Sequence, residues 1–120
     1  MAADLLGIKP GRILFIKEVL DPNTKDGDSV RVFGKIRSFD VATATAIIEY
    51  KNDTLPVDVS LFDASYSVNT LFQFIGEVER QNNKVLLKAR VARNVDGLDL
   101  NLFEKSLQIR RQFEADMPKA

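Results

Sequence analysis

SVRVFGKIRSFD, residues Ser29–Asp40, alternates apolar side chains with polar or aromatic ones. Val30, Val32 and Ile36 recur at even spacing, which is the pattern of a strand with one buried face. Gly34 lies in the middle of this pattern, and a glycine inside a strand typically marks a bend or a bulge. A small closed barrel needs such a long bent strand, because one strand must pair with two different neighbours. We therefore expect a β-barrel whose first strand curls at Gly34.

Four further segments after this strand have strand patterns. They are residues 43–50, 55–61, 70–80 and 84–95, and turn-forming residues separate them at 40–43, 51–53 and 81–83. Gly76 is a second glycine inside a strand pattern. The last strand alternates throughout, which predicts one face with Val85, Leu87, Ala89 and Val91 and another with Leu86, Lys88, Arg90 and Ala92.

Two segments outside these strands are less regular. Residues 12–20, RILFIKEVL, are rich in β-branched and apolar side chains, which favours an extended segment covering one end of the barrel, with a short helix as the alternative. Residues 62–69 form a connector long enough for a helical turn.

The chain then changes to a helical period. Asp99 is a candidate N-cap, and Leu102, Ile109, Phe113 and Met117 fall on one side of a helical wheel. Ser106 lies within this side, Phe103 and Leu107 widen it, and Pro118 limits the helix.

Five strands with a break between the third and fourth, followed by a helix, predict an all-β fold. We expect a five-stranded Greek-key barrel of the oligonucleotide/oligosaccharide-binding (OB) type with a C-terminal α-helix. An SH3-like barrel is the alternative, and the connector after the third strand favours the OB type. The expected organisation is a single domain over residues 1–120, with the barrel at about 12–97 and the helix at about 99–116. A chain of 120 residues is long enough for one core.

Composition argues against several classes of function. There is no His and no Cys, so the commonest general base, the thiol nucleophile and the commonest metal ligands are absent from the sequence. No Gly-rich phosphate loop occurs, and we expect no catalytic residues, no metal site and no cofactor. Asp21, Asp26 and Asp28 share one loop, but their spacing does not match an EF-hand, and a solvated turn explains them better. No apolar run approaches the ~20 residues of a membrane span, and residues 1–12 do not resemble a secretory signal, so we expect an intracellular protein.

Nucleic-acid binding is a further candidate function, because OB domains combine a basic groove with aromatic faces on which bases stack. The formal net charge is zero, which argues against a strong free-standing binder. The basic residues predicted to point outward could also be ordinary charges on the wet face of a sheet. They are Lys35, Arg37, Lys84, Lys88, Arg90 and Arg93. Phe39 and Tyr50 could stack on bases, but closing the barrel ends is the favoured explanation for both.

The terminal helix is the stronger candidate for a binding surface. Because a closed barrel already buries its own inward faces, a broad apolar side on a further helix favours packing against a partner, with the start of the helix on its own barrel. The alternative is that the helix simply completes the core. The predicted partner-binding residues are Leu102, Phe103, Ser106, Ile109, Arg110, Phe113 and Met117.

Several motifs, taken in order, resemble a known family. They are KPG at 9–11, DGDSVRVFGKI at 26–36 followed by Asp40, LFQFIGEVERQ at 71–81, and KVLLKARVARNVDGLDLNLFEKSL at 84–107. Over about residues 9–114 the chain resembles the small Ten subunits of the telomeric CST (Ctc–Stn–Ten) complex. The chain also resembles, more distantly, the small subunit of replication protein A. The alternative prediction is therefore that this protein is a small structural subunit of a single-stranded DNA-binding complex that acts in replication or repair.

The resemblance implies a single OB barrel with a C-terminal helix that binds the OB domain of the Stn subunit through barrel surface and helix. Carried onto this chain, the partner-binding helix is residues 102–113. The resemblance also implies a trimer with the large Ctc subunit in the nucleus, at the telomere. That trimer would hold single-stranded G-rich DNA, protect chromosome ends and recruit DNA polymerase α–primase for C-strand fill-in, with the DNA path built mainly by the partners.

Overall fold

A computed structural model describes residues 12–62 and 66–116. The elements follow one another as β1 (Arg12–Ile13), α1 (Ile16–Leu20), β2 (Ser29–Asp40), β3 (Thr45–Tyr50), β4 (Asp53–Asp58), β5 (Leu71–Gln81), β6 (Lys84–Asn94) and α2 (Leu100–Asp116). Within these described ranges, no helix combines the length and the apolar character needed to cross a bilayer.

Strands β2 to β6 form a closed five-stranded barrel, as predicted. The hydrogen-bonded order is β2-β3-β4-β6-β5, and β5 pairs back onto β2. The closing contact between β4 and β6 is parallel, with Val57 opposite Leu87, while β1 adds a short parallel pair to β2. The connector after β4, the third barrel strand, therefore takes the chain to β5, which is not a neighbour of β4 in the barrel. An OB-type barrel needs such a crossover.

Gly34 lies where β2 changes partners, which confirms the role predicted for it. The first part of β2, up to Lys35, pairs with β5, and the part from Lys35 onward pairs with β3. A Cβ added at Gly34 would lie 3.0 Å from the Cβ of Ile48, closer than side chains normally approach. A glycine at this position lets β3 cross closely over the bend.

The barrel interior holds the residues that the alternating patterns placed there. The fully buried side chains include Val30, Val32, Ile36, Ile48, Leu55, Val57, Phe74, Val78 and Leu87. Tyr66, from the connector after β4, closes one end of this core, with its ring 5.1 Å from the rings of both Phe39 and Phe72. The described part of that connector contains no helical turn, and residues 63–65 lie outside the described residues.

The favoured extended conformation for residues 12–20 is wrong for most of that segment. Only Arg12–Ile13 is a strand, and Ile16–Leu20 is the short helix that was the alternative. Ile16 and Val19 are both fully buried at a spacing of three residues, so helical periodicity lets this segment contribute two side chains to one core. This burial outweighs the preference of β-branched residues for strands.

The predicted faces of β6 hold only for its first half. Ala89 pairs with Gly76 and Val91 pairs with Ile75, so Arg90 is an extra residue on β6. Such a bulge reverses the alternation beyond it. Val91, predicted to point inward, is therefore 42% exposed, while Ala92 packs against the core.

Candidate interface on the C-terminal helix

The start of α2 is fixed by two aspartates. Asp99 acts as the predicted N-cap, because its Oδ1 accepts a hydrogen bond from the N–H of Leu102 at 3.1 Å. Asp96 lies just before it and accepts a hydrogen bond from the N–H of Leu71, at the start of β5, at 2.7 Å. The helix therefore leaves the barrel from a defined point beside β5.

One side of α2 packs on the barrel through two apolar residues. Phe103 lies against Phe33 on the outer face of β2, with a ring-centroid distance of 4.5 Å. Leu107, one turn later, is the one buried residue of this helix. The contact explains why the outward-pointing Phe33 is only partly exposed. Phe103 was predicted to bind a partner, but in this structure its own barrel covers much of its side chain.

Two polar contacts flank this apolar contact. Glu104 accepts hydrogen bonds from the hydroxyl of Tyr50 and the ammonium of Lys51, each at 2.7 Å. Tyr50 and Lys51 belong to the β3–β4 hairpin, where Lys51 and Asn52 both have positive φ and make the predicted tight turn. The first contact therefore joins α2 to one hairpin of the barrel.

Arg111 makes the second contact, two turns further along α2. Its guanidinium donates to both carboxylate oxygens of Glu18 on α1, at 2.9 and 3.0 Å, and to the carbonyl oxygen of Ile13 at 2.6 Å. It also lies 5.4 Å from the centre of the Phe15 ring. Paired hydrogen bonds to one carboxylate fix the relative orientation of the two groups, so this contact has a defined geometry.

The pKa values of Tyr50 and Glu104 are both shifted from their usual values. Burial, followed by the hydrogen bond to Glu104, raises the pKa of Tyr50 to about 12. The hydrogen bonds from Lys51 and then Tyr50 lower the pKa of Glu104. Both shifts favour a neutral phenol beside an ionised carboxylate over a wide pH range.

The opposite side of α2 carries an apolar surface that the barrel does not cover. Leu102, Ile109 and Phe113 are 62%, 68% and 65% exposed, and Ser106 between them is also exposed. We call these four residues the exposed stripe. Arg110 lies beside it in an exposed ion pair with Glu114, and Met117 lies outside the described residues. The predicted partner-binding residues thus separate into the exposed stripe, its neighbour Arg110, and the docked Phe103.

The basic residues predicted for DNA contact do not form one free surface. Arg37 pairs with Glu49, and Arg90 donates to Glu77 at 2.8 Å and to the hydroxyl of Ser29 at 3.1 Å. The remaining four are exposed and make no ion pair among the described residues; they are Lys35, Lys84, Lys88 and Arg93.

The aromatic candidates for base stacking are used inside the protein. Phe39 packs edge-on against Tyr66, and Tyr50 stacks on Phe15 with ring centroids 5.7 Å apart. Both rings therefore pack against other aromatic rings of the protein, in agreement with the favoured prediction that they close the barrel ends. Neither is a free face on which a base could stack.

The side chains of the three aspartates in the loop before β2 each accept a hydrogen bond from a backbone N–H group. Asp21 accepts from Asn23 at 2.8 Å, Asp28 from Lys25 at 2.9 Å and Asp26 from Arg80 at 2.9 Å. These bonds shape the turn. Among the described residues, no group of three acidic, His or Cys side chains is arranged to hold a metal ion.

Comparison with known proteins identifies the family. Residues 7–117 match the family model described as "Telomere-capping, CST complex subunit". The chain belongs to this family. The match spans the barrel and α2, so it includes both the docked side of the helix and the exposed stripe.

Curated relatives of the CST subunit family agree with this assignment. The chain is 38% identical over 111 residues to CST complex subunit TEN1 of Arabidopsis thaliana, which covers 88% of this chain and 87% of the relative. It is 31% identical to the mouse protein of the same name, covering 87% of this chain and 68% of that one. The protein is thus a small subunit of the telomeric CST complex and not an enzyme, and the replication-protein-A alternative is not favoured.

Solved structures show the same fold at lower identity. The chain resembles a crystal structure of the S. pombe Stn1–Ten1 complex with a TM-score of 0.74 and 18% identity, covering 87% of this chain and 94% of that one. Replication protein A of U. maydis, bound to single-stranded DNA, gives a TM-score of 0.63 and 20% identity, covering 88% and 93%. The chain therefore shares its overall fold with both proteins.

Two features of this CST subunit were not found by sequence reasoning. Arg111 and Glu18 join elements that are 93 positions apart, and no local pattern marks such a pair. Arg31, which lies on β2, was not singled out either. Its Nε is buried and has no hydrogen-bond partner among the described residues.

Proposed function

We propose that this CST subunit binds the Stn subunit through the exposed stripe of α2 together with adjacent barrel surface. The observation that carries the proposal is the two-thirds exposure of Leu102, Ile109 and Phe113 on one side of a helix whose other side is docked. An apolar surface at this spacing matches the anchors by which helices pack against partner proteins. Phe103 and Leu107 are left out of the proposed surface because they pack on the barrel.

Within the trimer with the large Ctc subunit, the protein would act in the nucleus, at the telomere. It would support a path for single-stranded G-rich DNA and the recruitment of DNA polymerase α–primase mainly by holding its partners in place. The formal net charge of zero and the internal pairing of Arg37 and Arg90 support a minor role for this chain in DNA contact.

Co-expression with the Stn subunit of the same organism tests the proposal. The wild-type chain should copurify as a stable 1:1 complex. The double substitution Ile109→Asp plus Phe113→Asp should abolish that complex, because it would bury two carboxylates in an apolar interface. The matched control is Gln108→Asp plus Gln112→Asp, which adds the same charge at the same spacing on exposed polar positions of α2. An intact complex in the stripe variant contradicts the proposal.

A further inference from the structure

The apolar contact between α2 and the barrel is too narrow to fix the rotation of the helix. Beyond the half-buried Leu100 at the start of the helix, the covered apolar side chains are Phe103 and Leu107, which are one turn apart and follow nearly a single line along the helix axis. Two side chains on one line allow the helix to roll about it. Rolling in one direction would turn the exposed stripe toward the barrel, and rolling in the other direction would turn it away.

The contacts of Glu104 and Arg111 remove this freedom. The two residues are seven positions apart, which is about two helical turns, so they lie on nearly the same side of α2. They reach different parts of the barrel assembly, since Glu104 contacts the β3–β4 hairpin and Arg111 contacts α1. Among the described residues, the charged or hydroxyl groups bonded to Glu104 and Arg111 are Lys51, Tyr50 and Glu18, and Lys17 and Asp53 line the same cleft.

We propose that Glu104 and Arg111 are positioning residues that hold α2 in one rotation and so present the exposed stripe to the partner. This inference rests on the proposed function, because the orientation of the stripe matters only if the stripe binds the Stn subunit. Neither residue belongs to the stripe. About 100° of rotation per residue places both on the docked side, away from Ile109 and Phe113.

The expected benefit is preorganisation. Ordering a helix at the moment of binding costs free energy, and a helix already held in the bound orientation avoids that cost. The side chains of Arg111 and Glu18 are both more than one-third exposed, so solvent screens their attraction and losing the pair should leave the barrel folded. The effect should therefore fall on the helix and on the partner affinity, not on global unfolding.

A charge exchange between α1 and α2 tests the inference. The variants are Glu18→Arg, Arg111→Glu and the two combined, all in the full chain. Each single variant should speed amide hydrogen exchange over residues 104–113 and should weaken binding to the Stn subunit roughly tenfold. The combined variant should recover part of both losses. It restores an opposite-charge pair, but it does not restore the hydrogen bond from Arg111 to the carbonyl oxygen of Ile13 or the one from the N–H of Phe15 to Glu18. The control is Lys105→Glu, a charge reversal of an exposed helix residue that makes no ion pair among the described residues, and it should change neither measurement.

Two results would overturn the positioning role. One is weaker binding by Arg111→Glu with unchanged hydrogen exchange on the helix, which would mean that Arg111 touches the partner directly. The other is a combined variant no better than the single ones. If Arg111→Glu also lowers the unfolding midpoint of the barrel, Arg111→Gln replaces it as the milder change. If the wild-type chain does not bind the Stn subunit, the proposed function fails, while hydrogen exchange still decides whether the two residues hold the helix.

Discussion

Gly76 on β5 and Lys88 on β6 approach so closely that no side chain fits between their backbones. A Cβ added at Gly76 would lie 2.7 Å from the carbonyl carbon of Lys88 and 2.9 Å from the Cα of Ala89. The register shift in this strand pair begins at the same point, between Ile75 and Gly76. The second mid-strand glycine of the sequence therefore accommodates the bulge that turns β6.

Gly76→Ala should destabilise the barrel by about 3 kcal/mol, because the added carbon meets backbone, which cannot move aside. Urea unfolding followed by circular dichroism would measure the change in the free energy of unfolding. Gly34→Ala is the matched control. Its Cβ would lie 3.0 Å from the Cβ of Ile48 and 3.3 Å from the carbonyl oxygen of Glu49, so a smaller displacement of the neighbours suffices and the cost should be smaller. Equal costs would contradict this explanation of Gly76.

Arg80→Met should destabilise the protein by about 2 kcal/mol, because it removes the donor from two partly buried carbonyl groups and one exposed one. The Arg80 guanidinium donates to the carbonyl oxygens of Val19, Asp21 and Thr24 and so holds the end of α1 and the following loop. Thermal unfolding and the rate of proteolysis within residues 20–28 would both report the loss. Glu79→Gln, at an exposed position on the same strand, should leave both measurements unchanged.

Tyr50 should titrate at about pH 12 in the folded protein, well above the value of 10.0 for an unfolded tyrosine. Because folding raises this pKa, the associated stability is fully present below pH 10 and is lost as the pH rises from 10 to about 12. Absorbance at the tyrosinate band would follow the titration, using Tyr66→Phe so that Tyr50 is the one remaining tyrosine. Glu104→Gln should lower the Tyr50 pKa only in part, since burial is the larger cause. A pKa near 10 in the Tyr66→Phe chain would mean that Tyr50 is neither buried nor bonded to Glu104 in solution.

Ile109→Asp plus Phe113→Asp should change the free energy of unfolding of the isolated chain by less than about 0.5 kcal/mol, because both side chains are mostly exposed. The same variant should reduce any concentration-dependent self-association, since it removes the exposed apolar stripe. Chemical denaturation and sedimentation velocity would measure the two effects. A large loss of stability would show that the stripe packs on its own barrel in solution.

The isolated chain should bind single-stranded DNA weakly and with a shallow salt dependence. Four of the six candidate cations make no ion pair among the described residues, which limits the slope of log K against log salt to about 3 in magnitude for a single strand. Fluorescence anisotropy with a G-rich oligonucleotide at several salt concentrations would measure it. A steep slope together with tight binding would instead indicate a free-standing DNA-binding protein.

The barrel could be predicted from the sequence because its signals are local. The alternation in β2, the glycines at 34 and 76, and the short polar turns each act within a few residues. Together they specify five strands and their order of connection. The apolar spacing of α2 likewise identified Ile109 and Phe113 before their exposure was known.

The features that sequence reasoning missed depend on distant parts of the chain. The helix at Ile16–Leu20 forms because two of its side chains meet a core supplied by later strands. The exposure of Val91 follows from a bulge that only the pairing with β5 reveals. Phe103 was assigned to a partner because its spacing on the helix cannot show that Phe33 lies opposite.

The double pairing of β2 also determines when the barrel can form during synthesis. Residues 29–35 of β2 need β5, which begins at Leu71, and the parallel contact at Val57 needs Leu87. Loop closure over such long separations is slow, and the early strands gain little until their late partners exist. A nascent chain that ends before Lys84 thus lacks the last barrel strand and exposes the unpaired edge of β4. The barrel closes late, and the helix that carries the exposed stripe is made only after the strand that completes the barrel.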